Sequence, residues 1–479
     1  MCIRDSTLPV PYVAGRVSGR YGGREVTNGR RSSHHRLPMS TKSMNPEEMA
    51  MLAVDRPAAT TSRAPWRILT RSAVITGAFI IPALVVRIAG LHPNPVAALL
   101  IYGAAVVAAS FLLAWAAEAA QIDVSGGLAI AVLAVIAVLP EYAVDLYYAY
   151  KSGHVPEYTQ YAAANMTGSN RLLMGLGWPV VVLVGIVEAR KRGAKNSSKP
   201  TGVTLEPANR LELGFLLIAG LVAFLIPATG HIHLVLGLAL LAWFGFYLYK
   251  LSHGDVEEPD LVGTAAALGR LPDRGRRIVV IGLFATSCAV ILLCAAPFAD
   301  KLVAAGTELG IDRFLLVQWL APLASEAPEF IVATIFASRG KGTAAIATLI
   351  SSKVNQWTLL IGSLPVSHLL GGGGLALALD SRQVEEVLLT ATQTLMGVAL
   401  ILALRFHRAT ALALLVLFVA QFPINSTQGR LVLCGIYTAV AIAGLIINRR
   451  HLAATVRAPF VGTAVRHGGH PHEASDLVD

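Results

Sequence analysis

Two short phrases in this chain place carboxylates inside apolar surroundings. Leu139-Pro140-Glu141-Tyr142-Ala143-Val144-Asp145 lies within one long apolar run, and Ala327-Pro328-Glu329-Phe330-Ile331-Val332 lies within another. Ionisable residues in such runs mark ion paths and binding sites. A proline inside a helix removes one N–H donor and clashes with the carbonyl four residues earlier, which releases the carbonyls of Ile136 and Ala324. Carbonyl and carboxylate oxygens are the ligands that hard cations such as Ca²⁺ and Na⁺ take. Asp145 follows Glu141 by one helical turn and Glu326 precedes Glu329 by a little less, so each pair shares a helix face. Carboxylates converging on one cavity repel each other and are desolvated, so proton and cation compete for them.

The second phrase repeats the first roughly 190 residues later. In register, Pro140 falls on Pro328, Glu141 on Glu329, Tyr142 on Phe330, Val144 on Val332, Tyr148 on Phe336 and Lys151 on Arg339. The elements that carry these phrases are helices in a membrane. Of 479 residues, 54% are hydrophobic and 14% charged, and the mean hydropathy is +0.60, far from a soluble domain. The net charge of +10 sits between apolar spans, where it reads as topology and not as a nucleic-acid surface. Cys2, Cys288, Cys294 and Cys434 lack metal-ligand spacing and read as unpaired thiols. The Gly-rich Gly371–Gly374 stretch lacks the lysine of a phosphate loop, so no ATP site and no resident cofactor are expected.

The pattern predicts an all-α polytopic membrane protein of about twelve transmembrane helices. The run 158–189 exceeds one straight crossing, and Gly175, Gly177 and Pro179 offer a bend. Arg63, Arg67 and Arg71, the cluster Arg190–Lys199, Arg270–Arg277, Arg339 and Lys341, Arg405 and Arg408, and Arg449 and Arg450 fall on alternate connections. By the positive-inside rule both termini are cytoplasmic, and the Glu141 and Glu329 spans run in opposite directions. The copies are therefore inverted repeats of five helices, with one extra helix at each end. Such repeats place a transport site where they meet. The expected divisions are a disordered or non-native leader at 1–65, an extra helix at 66–95, repeats at 96–250 and 277–423, a cytoplasmic linker at 251–276, a second extra helix at 424–450 and a cytoplasmic tail at 451–479.

The phrases resemble the membrane region of the sodium/calcium exchangers in the cation/calcium antiporter superfamily. In that family each repeat reads approximately Gly-Thr-Ser-x-Pro-Glu, then Gly-Asn-x-x-Gly-Ser-Asn on the next helix. Here the first copy continues as Ala164-Asn165-Met166-Thr167-Gly168-Ser169-Asn170. The resemblance implies an ion site built on Glu141 and Glu329, with Ser169 and Ser352 as hydroxyl ligands on the partner helices. Asp145, Glu326, Asn165, Asn170, Ser325 and Gln356 complete the candidate set. The departures are Ala137 and Val138 before the first Pro-Glu, Leu173 where an amide is usual, and Ser351-Ser352-Lys353 in place of Gly-Ser-Asn. Lys353, and Arg171 with it, is expected to pair with a carboxylate.

The function implied is a secondary antiporter in the cell membrane, moving Ca²⁺ or a related cation against Na⁺ or H⁺ by alternating access. A Na⁺/H⁺ exchanger and a transport-inactive scaffold are the alternatives. An intramembrane hydrolase would need a nucleophile–base pair or metal cluster that the sequence lacks. The expected partners are membrane lipid and inorganic cations, with no nucleic acid.

Overall fold

The computed structural model describes residues 64–124, 136, 138–192, 201–253, 261–424 and 426–461. Nearly all of the expected leader, residues 125–135 and Ala137 of the span that carries Glu141, part of the linker and most of the tail lie outside the described residues. The helices are α1 (Ala64–Ile88), α2 (Pro95–Ala120), α3 (Leu139–Ser152), α4 (Tyr158–Leu172), α5 (Trp178–Arg192), α6 (Arg210–Val222), α7 (Leu225–Thr229) and α8 (Leu234–Ser252) in the first half. After the short α9 (Gly263–Gly269) come α10 (Asp273–Leu309), α11 (Arg313–Ser338), α12 (Gly342–Asn355), α13 (Ile361–Leu370), α14 (Ser381–Ile401), α15 (Arg408–Ala420), α16 (Thr427–Ile447) and α17 (Arg449–Arg457).

Among the described residues, nine helical runs are long and apolar enough to cross a membrane. Of the remaining expected spans, α3 is described only from Leu139, α15 is a shorter apolar helix, and the run from Gly342 to Leu370 is rich in polar residues. Large apolar side chains face outward, Ile88 and Leu292 each at 80% exposure, which only a lipid surrounding tolerates on this scale. The chain is an integral membrane protein.

The helix starts follow local chemistry. Asn94 caps α2, its Oδ1 accepting from the Ala97 N–H at 2.7 Å ahead of a proline in the first turn. Asp380 and Gln383 form a reciprocal capping box at α14. The long fourth run does not simply kink at its glycines. It widens into a π-helical turn over Leu173–Gly177, and the second half has its equal over Gln356–Leu360.

Four short strands expose the repeat most plainly. β1 (Gly202–Thr204) precedes the fourth span of the first half and pairs antiparallel with β4 (Arg405–His407), which follows the fourth span of the second. β2 (His231–His233) follows the fourth span of the first half and pairs with β3 (Ala376–Ala378), which precedes that of the second. Exchanging the halves exchanges the two sheets. The helices obey the same rule: α4 packs on α11 and α3 on α13, while α8 packs on α13 and α15 on α5. β1 and β4 lie at the end of the bundle where the Lys and Arg residues gather. At that basic end Arg276 grips Asp123 with two hydrogen bonds of 2.7 Å, and Arg277 adds one at 2.9 Å. The Arg276 hydrogen bond leads in holding the Asp123 carboxyl down at about 2, so the end of α2 is pinned to the start of α10.

Candidate functional site

The two copies of the Pro-Glu phrase take up different local structures. Pro140 sits in the first turn of α3, where its missing N–H removes no hydrogen bond, and Val138 at the N-cap offers no side-chain acceptor. The helix start, and not a break within a described helix, is what positions Glu141. Pro328 lies inside the continuous α11, together with Pro322. There the carbonyl of Ala324 does lose its helical partner, as the sequence reading expected.

Gln356 is the centre of the site. Its Nε2 donates to Glu326 Oε1 at 2.5 Å and to Glu141 Oε1 at 3.2 Å, joining a carboxyl from each repeat. Ser352, one helical turn earlier, donates to Glu329 Oε2 at 2.7 Å. Ser169 stands beside Glu141, while its hydroxyl donates to Met166 O in its own helix at 3.3 Å. Glu141 and Glu326 are 5% and 1% exposed. Carboxyl groups packed this closely need a proton or a cation between them. Glu326 Oε2 and Gln356 Oε1 are buried and accept no hydrogen bond from the protein. Among the described residues no group of three or more His, Cys, Asp or Glu closes around a single metal position.

Among the described residues, the site joins a vestibule. A chamber of about 40 Å³ is lined by Glu141, Ser325, Glu326 and Glu329. It shares Ala114, Val138, Pro328 and Glu329 with a vestibule of about 400 Å³. That vestibule extends along Ser351, Ser352, Tyr247 and Glu212 to Gln121 and Leu251, which lie at the basic end of α2 and α8.

The remaining candidates divide. Ser325 lines the chamber, but its hydroxyl donates to the carbonyl of Ala321 at 3.2 Å. Asp145 is fully buried and neither of its oxygens has a hydrogen-bond partner; Asn165 lies beside it, its own Oδ1 also unpartnered. These two form a separate polar pair one turn along α3 from Glu141. Lys353 corrects the expectation of a carboxylate partner: its Nζ donates to Asn170 O at 2.7 Å and to Asn170 Oδ1 at 2.8 Å. Asn170 and Lys353 hold equivalent positions in the repeats, so the lysine reaches its own counterpart. Arg171 does meet a carboxylate, Glu386 on α14, at 2.5 Å.

Glu386, Glu212 and Gln318 were missed. Isolated carboxylates and amides near helix ends look like surface residues in a sequence. The available signal was spacing: Glu212 and Glu386 are as far apart as β1 and β3, and as β2 and β4.

The profile of the sodium/calcium exchanger protein family matches residues 94–252 and 279–424. The crystal structure of the H⁺/Ca²⁺ exchanger CAX is 39% identical, with a TM-score of 0.76, and the match covers 82% of this chain and 98% of that one. Native YfkE shares the fold at 16% identity and a TM-score of 0.52, over 73% of this chain and 98% of its own. So does the selenium-substituted Ca²⁺/H⁺ antiporter YfkE, at 14% identity and a TM-score of 0.53, over 74% and 100%. No curated protein matches.

Proposed function

Because the chain belongs to the sodium/calcium exchanger protein family, a family of transporters and not of enzymes, we propose that it exchanges Ca²⁺ or a related cation for protons by alternating access. The observation that carries this reading is the Gln356 bridge between Glu141 and Glu326, next to Glu329 and at the end of a vestibule. The likeness to an H⁺/Ca²⁺ exchanger supports the proton as counter-ion. So does the chemistry: a divalent cation entering the chamber takes the oxygens of Glu141, Glu326 and Glu329, and the protons held there leave. Proton release then balances the incoming charge. When the vestibule closes and its counterpart opens, the same carboxyls exchange the cation for protons on the far side.

The basic end is assigned to the cytoplasm of a cell membrane, so both termini are cytoplasmic and the vestibule faces inward. Cysteines replacing Arg339 and Gly374 should then label from opposite sides, with Arg339→Cys reached from the cytoplasm. The decisive experiment is flux in proteoliposomes with imposed pH, Na⁺ and Ca²⁺ gradients. A pH gradient should drive Ca²⁺ movement without Na⁺. Ca²⁺ movement only when Na⁺ is present would replace the proton by Na⁺, and silence in every gradient would favour a transport-inactive scaffold.

A further inference from the structure

The two ends of the bundle carry equivalent residues, which line the vestibule at one end and are buried at the other. At the basic end Glu212 lines the vestibule. Its contacts are long and neutral: Asn209 Nδ2 donates to Oε2 at 3.4 Å and Tyr247 OH to Oε1 at 3.4 Å. No cation pairs with it among the described residues.

Its counterpart at the other end is Glu386. The equal separations of the strands flanking the fourth spans place Glu386 on Glu212 and, by the same shift, Gln421 on Tyr247 and Phe418 on Phe244. Glu386 is 3% exposed and faces the guanidinium of Arg171, itself 2% exposed, at 2.5 Å. Arg171 also donates from Nη1 to Gln421 Oε1 at 3.0 Å, and its guanidinium lies 5.1 Å from the centre of the Trp319 ring. Gln318 Nε2 donates to Glu386 at 3.1 Å, and Arg430 flanks its other oxygen at 3.5 Å. The packing around this network is tight: a Cβ on Gly168 would fall 1.7 Å from the carbonyl oxygen of Gln318. The residue equivalent to Gly168 is Ser351, which lines the open vestibule.

Arg171 has no equal in the second half, where Val354 stands in its register. We propose that Arg171 is a tethered counter-ion that seals the mouth opposite the basic end: it occupies Glu386 while that mouth is closed, and must part from it when the mouth opens. The inference rests on the alternating-access reading and adds a positioning residue to it. A buried ion pair is strongly destabilised if one charge is left dry. Separation is therefore coupled to water entering the mouth, which solvates both groups. An arriving cation at that side competes with the guanidinium for Glu386. At the basic end a cation meets Glu212 without a rival, so the two sides are unequal although their scaffolds match.

The test reads conformation and does not depend on transport. In full-length protein with Cys2, Cys288, Cys294 and Cys434 replaced by Ser, Phe244→Cys and Phe418→Cys are exposed to membrane-impermeant thiol reagent from either side. With Arg171 intact, Phe244→Cys should label from the basic side and Phe418→Cys should label slowly or not at all. Arg171→Gln should raise Phe418→Cys labelling from the opposite side about tenfold. The pair Arg171→Gln with Glu386→Gln, which leaves no lone buried carboxylate, should do the same if the single variant folds poorly. Arg171→Lys should restore the slow rate. Labelling of Phe418→Cys that ignores Arg171, or an Arg171→Lys variant as open as Arg171→Gln, overturns the plug. Failure of proton-driven Ca²⁺ flux in the unmodified protein would instead overturn the functional reading and leave the labelling result standing.

Discussion

The Pro140–Glu141 copy and the Pro328–Glu329 copy share their proline and glutamate, yet only Glu329 lines the vestibule itself, while Glu141 lines the small chamber behind it. Glu329 lines the open cavity and takes a hydrogen bond from Ser352. Glu141 is 5% exposed and is held by Gln356, while the equivalent Ser169 keeps its hydroxyl bond within its own helix. Their helices differ as well, since Pro140 starts one and Pro328 lies inside the other. Sequence symmetry thus coexists with two different local environments in a single conformation.

The largest effect should come from the two glutamates. Glu141→Gln and Glu329→Gln each keep shape and remove a charge, and each should lower cation exchange by about 100-fold or more, with the size-exclusion profile unchanged. Equal losses mean that both copies serve one ion. A Glu141→Gln variant that transports normally would reduce the buried copy to scaffold.

Gln356 comes next. It holds Glu141 and Glu326 in place, and losing such a support typically costs about 10–100-fold in affinity. Gln356→Ala should raise the half-saturating Ca²⁺ concentration by that order. Its counterpart position holds Leu173, so Leu173→Gln is expected to rescue nothing.

The serines sharpen the contrast at smaller scale. Ser352→Ala removes a bond to a carboxylate and should weaken Ca²⁺ binding about fivefold, whereas Ser169→Ala should change it less than about twofold in this state. Equilibrium binding to detergent-solubilised protein separates the two. Equal effects would mean that Ser169 turns toward Glu141 as the ion arrives.

Long apolar runs, the repeated phrase and the charge alternation of loops carried the span order and the inverted repeat in the sequence itself, because burial in lipid leaves little freedom in any of them. Glu141, Glu326 and Glu329 were legible because carboxylates in apolar runs stand out, and Ser352 and Gln356 through the family resemblance. The partners were not. Lys353 was expected on a carboxylate from charge alone, but which acceptor it reaches depends on how α12 crosses α4, a distance of many residues in sequence. Arg171 and Glu386 meet for the same reason, through packing of α4 on α14. The start of α3 at Leu139 was hidden too, since a proline at a helix start and one within a helix read alike. The shift that relates Glu212 to Glu386 emerged only once the strands were paired.

The smallest expected change in rate, though not in selectivity, belongs to Lys353→Asn. The lysine and Asn170 occupy equivalent positions and bond to each other, so an asparagine there restores an amide pair across the repeats and should leave the fold intact. Lys353 Nζ has two acceptors on Asn170 and lies close enough to Glu326 and Glu141 to act on them electrostatically. A protonated amine there would disfavour a second mobile cation beside the bound one. Removing it should change maximal Ca²⁺ flux less than about threefold and yet let Na⁺ compete, so that 100-fold excess Na⁺ slows Ca²⁺ uptake in the variant and not in the parent. Lys353→Met, which removes the charge without adding an oxygen, distinguishes the causes. If both variants admit Na⁺, the ammonium was the barrier; if only Lys353→Asn does, the added amide oxygen is a ligand and the comparison between the copies extends to this position as well.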